Sequence, residues 1–240
     1  MIDVKNLTKR YGDKTALDNI SFSIDSGEVV GLLGLNGAGK TTTMNILTGY
    51  ISATSGDVSI GGFDIASESS SAKRLIGYLP ELPAFYPEIR VCEHLDFICG
   101  LKGVFKDKKK RVEHIEEICT RVGLADVQNR MIRNLSKGYK QRVGFAQALI
   151  GNPKVMILDE PTAGLDPSQI IEIRSLIKEC GKDRTVIVSS HILSEIQSVC
   201  SRVIVINEGK LVADDSPDTL SGGGSLEEVF MQIIGYGGAS

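Results

Sequence analysis

The 240-residue sequence has no excess of one charge: 27 lysines and arginines stand against 30 aspartates and glutamates, for a formal net charge of −3. Proteins that hold nucleic acid by its backbone usually show a basic domain, so that class of function has no electrostatic footprint here. Cysteine is scarce and poorly spaced for chemistry. The five thiols, Cys92, Cys99, Cys119, Cys180 and Cys200, form no C-x-x-C pair and leave one over after any pairing. That argues against a zinc site and a disulfide framework, and fits reduced thiols in a cytosolic setting. The stretch from Met1 to Lys14 has no apolar region of the kind a secretory leader needs. Nowhere does an uncharged apolar run reach the roughly 18 to 20 residues of a membrane span. Work at a membrane would therefore need something else to hold this chain there. Heptads and internal repeats are missing too.

What is present suits a folded domain. A hydrophobic share of 42% with 24% charged residues supplies a real core. The length corresponds to about 1.6 domains of ordinary size, one large unit or a unit carrying a smaller lobe. Continuous apolar runs at Glu28 to Leu33, Val155 to Leu158, Thr185 to Ser189 and Val203 to Ile206 predict strands buried on both faces, as in a parallel sheet covered by helices. By contrast, Ile2 to Leu7, Ile20 to Ile24 and Val58 to Ile60 alternate apolar with polar residues. Gly12-Asp13 and Gly61-Gly62 punctuate them as turns, which predicts a small antiparallel layer.

Between about Tyr86 and Gly151 the pattern turns helical: Val91, Leu95 and Ile98, then Val112, Ile115, Ile118, Cys119 and Val122, recur at helical spacing. This predicts a helical lobe inserted between strand-bearing halves. The run Lys106 to Arg111 suits acidic lipid or a partner, although a charged helix start is most often simply solvated. Ser221 to Ser225 reads as a flexible junction and Gly235 to Ser240 as a frayed end. Between them, Ser225 and Glu228 suit a capping box opening a short helix with Leu226, Val229, Phe230 and Ile233, packed on the body.

The strongest local signal is Gly34-Leu35-Asn36-Gly37-Ala38-Gly39-Lys40-Thr41, followed by Thr42, a full G-x-x-x-x-G-K-[ST] match between a buried strand and a helical run through Met44, Ile46 and Leu47. Gly34, Gly37 and Gly39 let backbone N–H groups turn inward without Cβ clashes, forming an anion nest at a helix N-terminus. Lys40 can reach β- and γ-phosphates, and the Thr41 hydroxyl is placed for Mg²⁺. A second acidic centre lies at the end of the Val155 to Leu158 strand, where Asp159 suits a Mg²⁺ ligand and Glu160 suits a base for attacking water.

With Leu135-Ser136-Lys137-Gly138-Tyr139-Lys140-Gln141-Arg142 lying between these two motifs, the sequence resembles the ATP-binding cassette ATPases, whose signature is LSGGQ. The similarity covers roughly residues 1 to 215. Tyr11 matches the aromatic that stacks on adenine, Glu81 falls at the Q-loop and also at the metal, Asp166 fits the D-loop, and His191 fits the switch histidine. Read alone, Tyr11 suits a turn aromatic, Asp166 a cap for the helix after Pro167, and His191 a satisfied surface histidine.

The resemblance implies an α/β fold: a P-loop NTPase core with a mainly parallel sheet, an N-terminal antiparallel β layer and an inserted helical subdomain at about 86–150. The cassette domain would span 1–220, with 221–240 as linker and terminal helix. It further implies ATP and Mg²⁺ as cofactors and a head-to-tail dimer, with Ser136, Lys137 and Gly138 of one subunit capping the γ-phosphate held by the other. Catalysis would fall to Glu160, His191 and Glu81, and the metal to Thr41, Glu81 and Asp159. An integral membrane permease would anchor the pair on the cytoplasmic face of the cell membrane, with no nucleic acid expected.

Two departures stand out. Glutamate replaces the usual Q-loop glutamine at Glu81, and the signature reads LSKGY, with Lys137 for glycine and Tyr139 for glutamine. Both resemble the exporter branch that works with ABC-2 type membrane subunits, so hydrolysis is expected to be retained. The predicted function is the ATPase subunit of an exporter. The alternatives are a soluble cassette ATPase acting on nucleic acid or ribosomes, disfavoured by the single cassette and the charge balance, and a non-hydrolysing sensor, disfavoured because Glu160 and His191 are both present.

Overall fold

The computed structural model describes residues 1–221 and 226–233. The expected flexible junction, apart from Ser221, the Ser225 cap and the 235–240 tail lie outside them.

The alternating N-terminal segments form β1 (Ile2–Tyr11) and β2 (Lys14–Ile24), an antiparallel hairpin turned at Gly12 and Asp13. β3 (Val29–Leu33) then leads into α1 (Lys40–Leu47). β4 (Ser55–Ile60) and β5 (Phe63–Asp64) return to the first sheet, whose order is β2-β1-β4-β5. After α2 (Ser69–Arg74) and β6 (Ile76–Leu79) come three long helices, α3 (Val91–Leu101), α4 (Lys108–Arg121) and α5 (Lys137–Leu149). The chain continues through β7 (Val155–Leu158), α6 (Pro167–Cys180), β8 (Thr185–Ser190), α7 (Leu193–Val199), β9 (Arg202–Asn207), β10 (Lys210–Asp215), α8 (Pro217–Ser221) and α9 (Leu226–Ile233). Among the described residues, no helix is long and apolar enough to cross a membrane.

The second sheet has the order β10-β9-β3-β8-β7-β6 and is parallel except at β10, which closes one edge as an antiparallel hairpin. Its strands alternate between two cores, because successive side chains point to opposite faces. Val30, Leu32, Val155, Ile157, Ile187, Ile204 and Ile206 pack with the antiparallel layer. Leu33, Met156, Leu158, Val186, Val188, Val203 and Val205 pack with the helices. Burial on both faces is why these strands read as unbroken apolar runs. Truncating one such residue to alanine costs about 2 to 5 kcal/mol.

This strand order sets the site. β8 lies between β3 and β7, and β7 pairs with β6, with Leu33 opposite Ser190 and Leu158 opposite both Val188 and Leu79. The loops after Leu33, Leu79, Leu158 and Ser190 therefore leave one carboxyl edge side by side, where open α/β sheets bind ligands.

Several expectations needed correction. β6 and β10 carry no strand signal strong enough to be foreseen, and both hairpin strands extend well beyond their alternating cores, β1 to Tyr11 and β2 from Lys14. Val112 is 42% exposed instead of joining the core of α4. Near its start, α4 parts from α3 over a cleft lined by Cys92, Asp96, Val112 and Ile115, so Val112 edges that cleft. α9 does pack on the body, with Phe230 buried in the helix-side core.

Candidate active site

The glycine-rich loop connects β3 to α1 through residues held in conformations that L side chains resist. Gly37 (φ 83°) and Gly39 (φ 120°) are left-handed, and a Cβ on Gly39 would meet the backbone carbonyl of Ala16 at 2.9 Å. The Lys40 side chain folds back across this loop: its ammonium donates to the carbonyls of Gly34 at 2.8 Å and Leu35 at 3.3 Å. Burial pushes the Lys40 ammonium below its usual range, opposed by the nearby carboxylates of Glu160, Asp159 and Glu81.

Across the sheet edge, Glu160 follows β7 with φ 45°, a left-handed backbone unusual for a residue with a long side chain. Its Oε1 lies 3.8 Å from Lys40 Nζ and its Oε2 2.9 Å from His191 Nδ1. Ser189 fixes the pair of acids from β8. Its hydroxyl donates to Asp159 Oδ1 at 2.5 Å and accepts from the Glu160 N–H at 2.8 Å. Asp159 is thereby buried behind Glu160, while His191 remains half-exposed at the rim.

One cleft is lined by Tyr11, Asn36, Gly37, Gly39, Lys40, Thr41, Thr42, Glu81, Glu160 and His191, with Lys14, Ala16 and Ala163 completing its wall. The structure thus brings together most of the residues singled out from sequence, from four loops and the β1–β2 hairpin. Gly34, Leu35 and Ala38 belong to the same loop without lining the cleft, and Ala38 N–H closes the turn on the Leu35 carbonyl at 3.1 Å.

The signature residues lie elsewhere. Ser136 is the N-cap of α5, its hydroxyl accepting from Tyr139 N–H at 3.4 Å, and none of Ser136, Lys137 and Gly138 reaches the cleft. The Lys137 ammonium rests on the backbone of Gly164, so closely that a Cβ there would collide with it. Gly138 is packed under the Gln169 side chain, which would lie 2.5 Å from an added Cβ. Asp166 caps α6, accepting from Ser168 Oγ at 2.7 Å and Gln169 N–H at 3.0 Å. Those hydrogen bonds, the Ser168 hydroxyl first, hold its carboxyl below the usual range.

Sequence reasoning missed three supports. Glu195 on α7 is buried and its Oε2 accepts from Thr162 Oγ1 at 2.6 Å and Ser190 Oγ at 3.0 Å, tying the loop after Glu160 to the residue before His191. Gln141 on α5 donates to the Pro161 carbonyl at 2.7 Å, joining the signature helix to the Glu160 loop. Ser189 bridges the two acids. Only the Ser189-Ser190-His191 run hinted at any of these. Glu195 and Gln141 gave no signal, because a polar residue on a helix is ordinarily read as solvated.

A separate groove runs between the end of α1, the loop after Glu81 and the helices, lined by Tyr50, Tyr78, Ala84, Ile98, Leu101 and Gln147 among others. Beside it, Phe85 is half-buried with its ring edge on His94, 5.5 Å between centroids, whereas Leu82 is 84% exposed. Phe85 is a packing residue here, whereas Leu82 and Tyr86 of the same loop are exposed.

Sequence comparison adds the family. A family model described as ABC transporter matches residues 17–163. The bacitracin transport ATP-binding protein BcrA of Bacillus licheniformis is 40% identical over 216 residues, covering 89% of this chain and 69% of its own. The lantibiotic transport ATP-binding protein SrtF of Streptococcus pyogenes is 37% identical over 235 residues, covering 98% of this chain and 97% of its own. Among solved structures, a dimeric post-hydrolysis state of the ATP-binding cassette MJ0796 bound to ADP and Pi matches with a TM-score of 0.82 at 27% identity, over 90% of this chain and 98% of that one. A phosphate loop facing Glu160 and His191 in one cleft is what such a cassette requires, and the chain belongs to the ABC transporter family as an ATP-binding subunit that hydrolyses ATP.

Proposed function

We propose that two copies of this chain close head to tail on ATP and that the cycle powers export through a separate integral membrane permease. The observation that carries this reading is the separation of Ser136 from the cleft that holds Lys40, Glu160 and His191. A helix N-terminus capped by serine suits an anion, yet it lies outside the cleft of its own subunit.

In the closed pair, the loop amides and Lys40 hold the β- and γ-phosphates, Tyr11 stacks on the base, and the partner's signature loop caps the γ-phosphate. Glu160 accepts the proton of the attacking water, and His191, bonded to Glu160, holds it in line. Most of the rate gain is positioning and charge stabilisation. Thr41, Glu81 and Asp159 offer only hard oxygen donors, a set that fits Mg²⁺. Among the described residues no group of three or more His, Cys, Asp or Glu is placed to hold a metal unaided. Bound there, Mg²⁺ would neutralise phosphate charge. The Lys137 ammonium, which rests against Gly164, supplies a cation from the signature loop, and Asp166 caps the helix that follows Gly164.

The permease would seat in the groove beside Leu82 and Tyr86 and thereby hold the chain at the cytoplasmic face of the membrane. Relatives named for bacitracin and lantibiotic transport, together with Glu81 and the LSKGY signature, support an exporter. The test is phosphate release by purified chain with and without its permease: the rate per subunit rises with protein concentration and vanishes in Glu160→Gln. No release above that control would overturn the reading. Leu82→Asp should abolish co-purification with the permease and leave ATP binding intact.

A further inference from the structure

The turn between α3 and α4 and the first turn of α4 carry Lys106, Lys108, Lys109 and Lys110, all exposed. The ATPase uses none of them. Arg111 is paired with Asp96 at 2.7 Å, and Lys109 reaches the exposed Glu113 only at 4.0 Å. Among the described residues Lys106, Lys108 and Lys110 make no ion pair.

These lysines also sit where their own helix disfavours them. The first turn of α4 holds no acidic residue, and Asp107 just before it is engaged as the N-cap on Lys109 N–H at 2.8 Å, while Lys108 edges a cleft that also holds Glu93, Asp96 and Glu116. The helix dipole places partial positive charge at that end, so each added cation is unfavourable there. Local choices that oppose stability, with Lys106 and Lys110 left without an acidic partner among the described residues and Lys109 meeting Glu113 only at 4.0 Å, point to a functional surface.

The neighbouring residues are apolar and exposed. Leu101 is 68% exposed and Phe97 41%, Phe97 meets Tyr86 edge-on at 5.3 Å, and Leu101 is also part of the rim of the permease groove. Phe105, left-handed at φ 52°, packs on His114 with ring centroids 4.7 Å apart, at the start of the lysine run. Exposed aliphatic and aromatic side chains next to unpaired lysines are the composition of a protein surface that meets the headgroup layer of a bilayer.

We propose that this turn rests on the anionic phospholipid headgroups around the permease, with Lys106, Lys108 and Lys110 contacting phosphates and Leu101 entering the apolar boundary. The proposal rests on the transporter reading, which brings the adjoining groove to a membrane protein. An acidic protein segment is the competing occupant. The bilayer is favoured because exposed Phe97 and Leu101 lie on α3, the helix that leads into the basic run.

The test is flotation of the full chain with vesicles of phosphatidylcholine alone and of phosphatidylcholine mixed with phosphatidylglycerol. The chain should float with the anionic vesicles only, less so as salt rises. The triple variant Lys106→Ala, Lys108→Ala, Lys110→Ala should lose about fivefold in partitioning per lysine, on the order of a hundredfold together. Leu101→Ser should lose part of it. A charge-matched control, Lys5→Ala, Lys178→Ala, Lys182→Ala, should float as wild type. Equal flotation on both vesicles, no loss in the triple variant, or equal loss in the control each overturns the proposal. If the triple variant loses permease co-purification but keeps flotation, the turn belongs to a protein partner and the lipid assignment is wrong. Failure of the transporter reading would show differently, as absent phosphate release or absent co-purification with flotation intact.

Discussion

The Glu160 carboxylate lies between an ammonium and an imidazole, 3.8 Å from Lys40 Nζ and 2.9 Å from His191 Nδ1, on a backbone with φ 45°. Each contact joins a different loop, so this one side chain ties the phosphate loop, the end of β7 and the end of β8 together. Glu160→Gln keeps the shape and removes the base. Phosphate release should fall by about 10² to 10⁴-fold while nucleotide binding persists. Comparing Glu160→Gly with Glu160→Ala isolates the backbone, since both lack the carboxylate. The glycine variant should be the more stable by about 1 to 2 kcal/mol in chemical denaturation, and equal stability would remove the claim of strain.

Glu195 should matter more than its distance from the nucleotide suggests. Glu195→Ala leaves the Thr162 and Ser190 hydroxyls without their acceptor, at a cost on the order of 2 kcal/mol or more. Because those hydroxyls flank Glu160 and His191 in sequence, kcat should drop more than KM rises. Glu195→Gln keeps an acceptor oxygen and should recover much of both. A pure stability loss with normal kcat at low temperature would make Glu195 merely structural.

Much of this site is legible in the sequence, and the reason is local. The phosphate loop, the β7 acids and His191 each sit directly after a strand whose apolar run is unmistakable, so motif and element announce one another. The bracing contacts are not legible. Ser189 to Asp159 and Gln141 to Pro161 join segments that only the sheet order and the packing of α5 bring together. β6 was hidden because Ile76 to Leu79 is four residues long and contains Gly77, whose Cβ would collide with the Ala148 carbonyl. Close packing, not strand propensity, selects glycine there. Asp166 shows a different lesson, since its role as helix cap is realised whatever it does across a dimer.

The thiols give a test of the packing. Burial pushes Cys99 and Cys119 up to about 11 and Cys200 up to about 12, and raises Cys180 as well. Cys92 alone is partly exposed. Native protein should show one fast-reacting thiol with an aromatic disulfide reagent, and all five after denaturation. Two or more fast thiols would contradict the burial of Cys99, Cys119, Cys180 and Cys200.

Lys102 turns its ammonium in to cap the end of α5, donating to the Ile150 carbonyl at 2.8 Å and more weakly to Gln147 at 3.5 Å. Desolvation lowers it from 10.5 to about 8. Between those values the unfolded chain binds more protons than the folded one, so this group makes stability rise with pH from about 8 to about 10.5. The difference in melting temperature between wild type and Lys102→Met should therefore shift in favour of wild type across that window. A difference independent of pH would show that Lys102 stays charged.

The central claim is that Ser136 serves a phosphate loop on another copy of the chain. Lys40→Ala and Ser136→Arg proteins, each inactive alone, should regain phosphate release when mixed, because every mixed dimer contains one intact composite site. With random pairing and independent sites the mixture should reach about a quarter of the wild-type rate. A mixture as inactive as its components, or full activity in Ser136→Arg alone, would contradict the shared site.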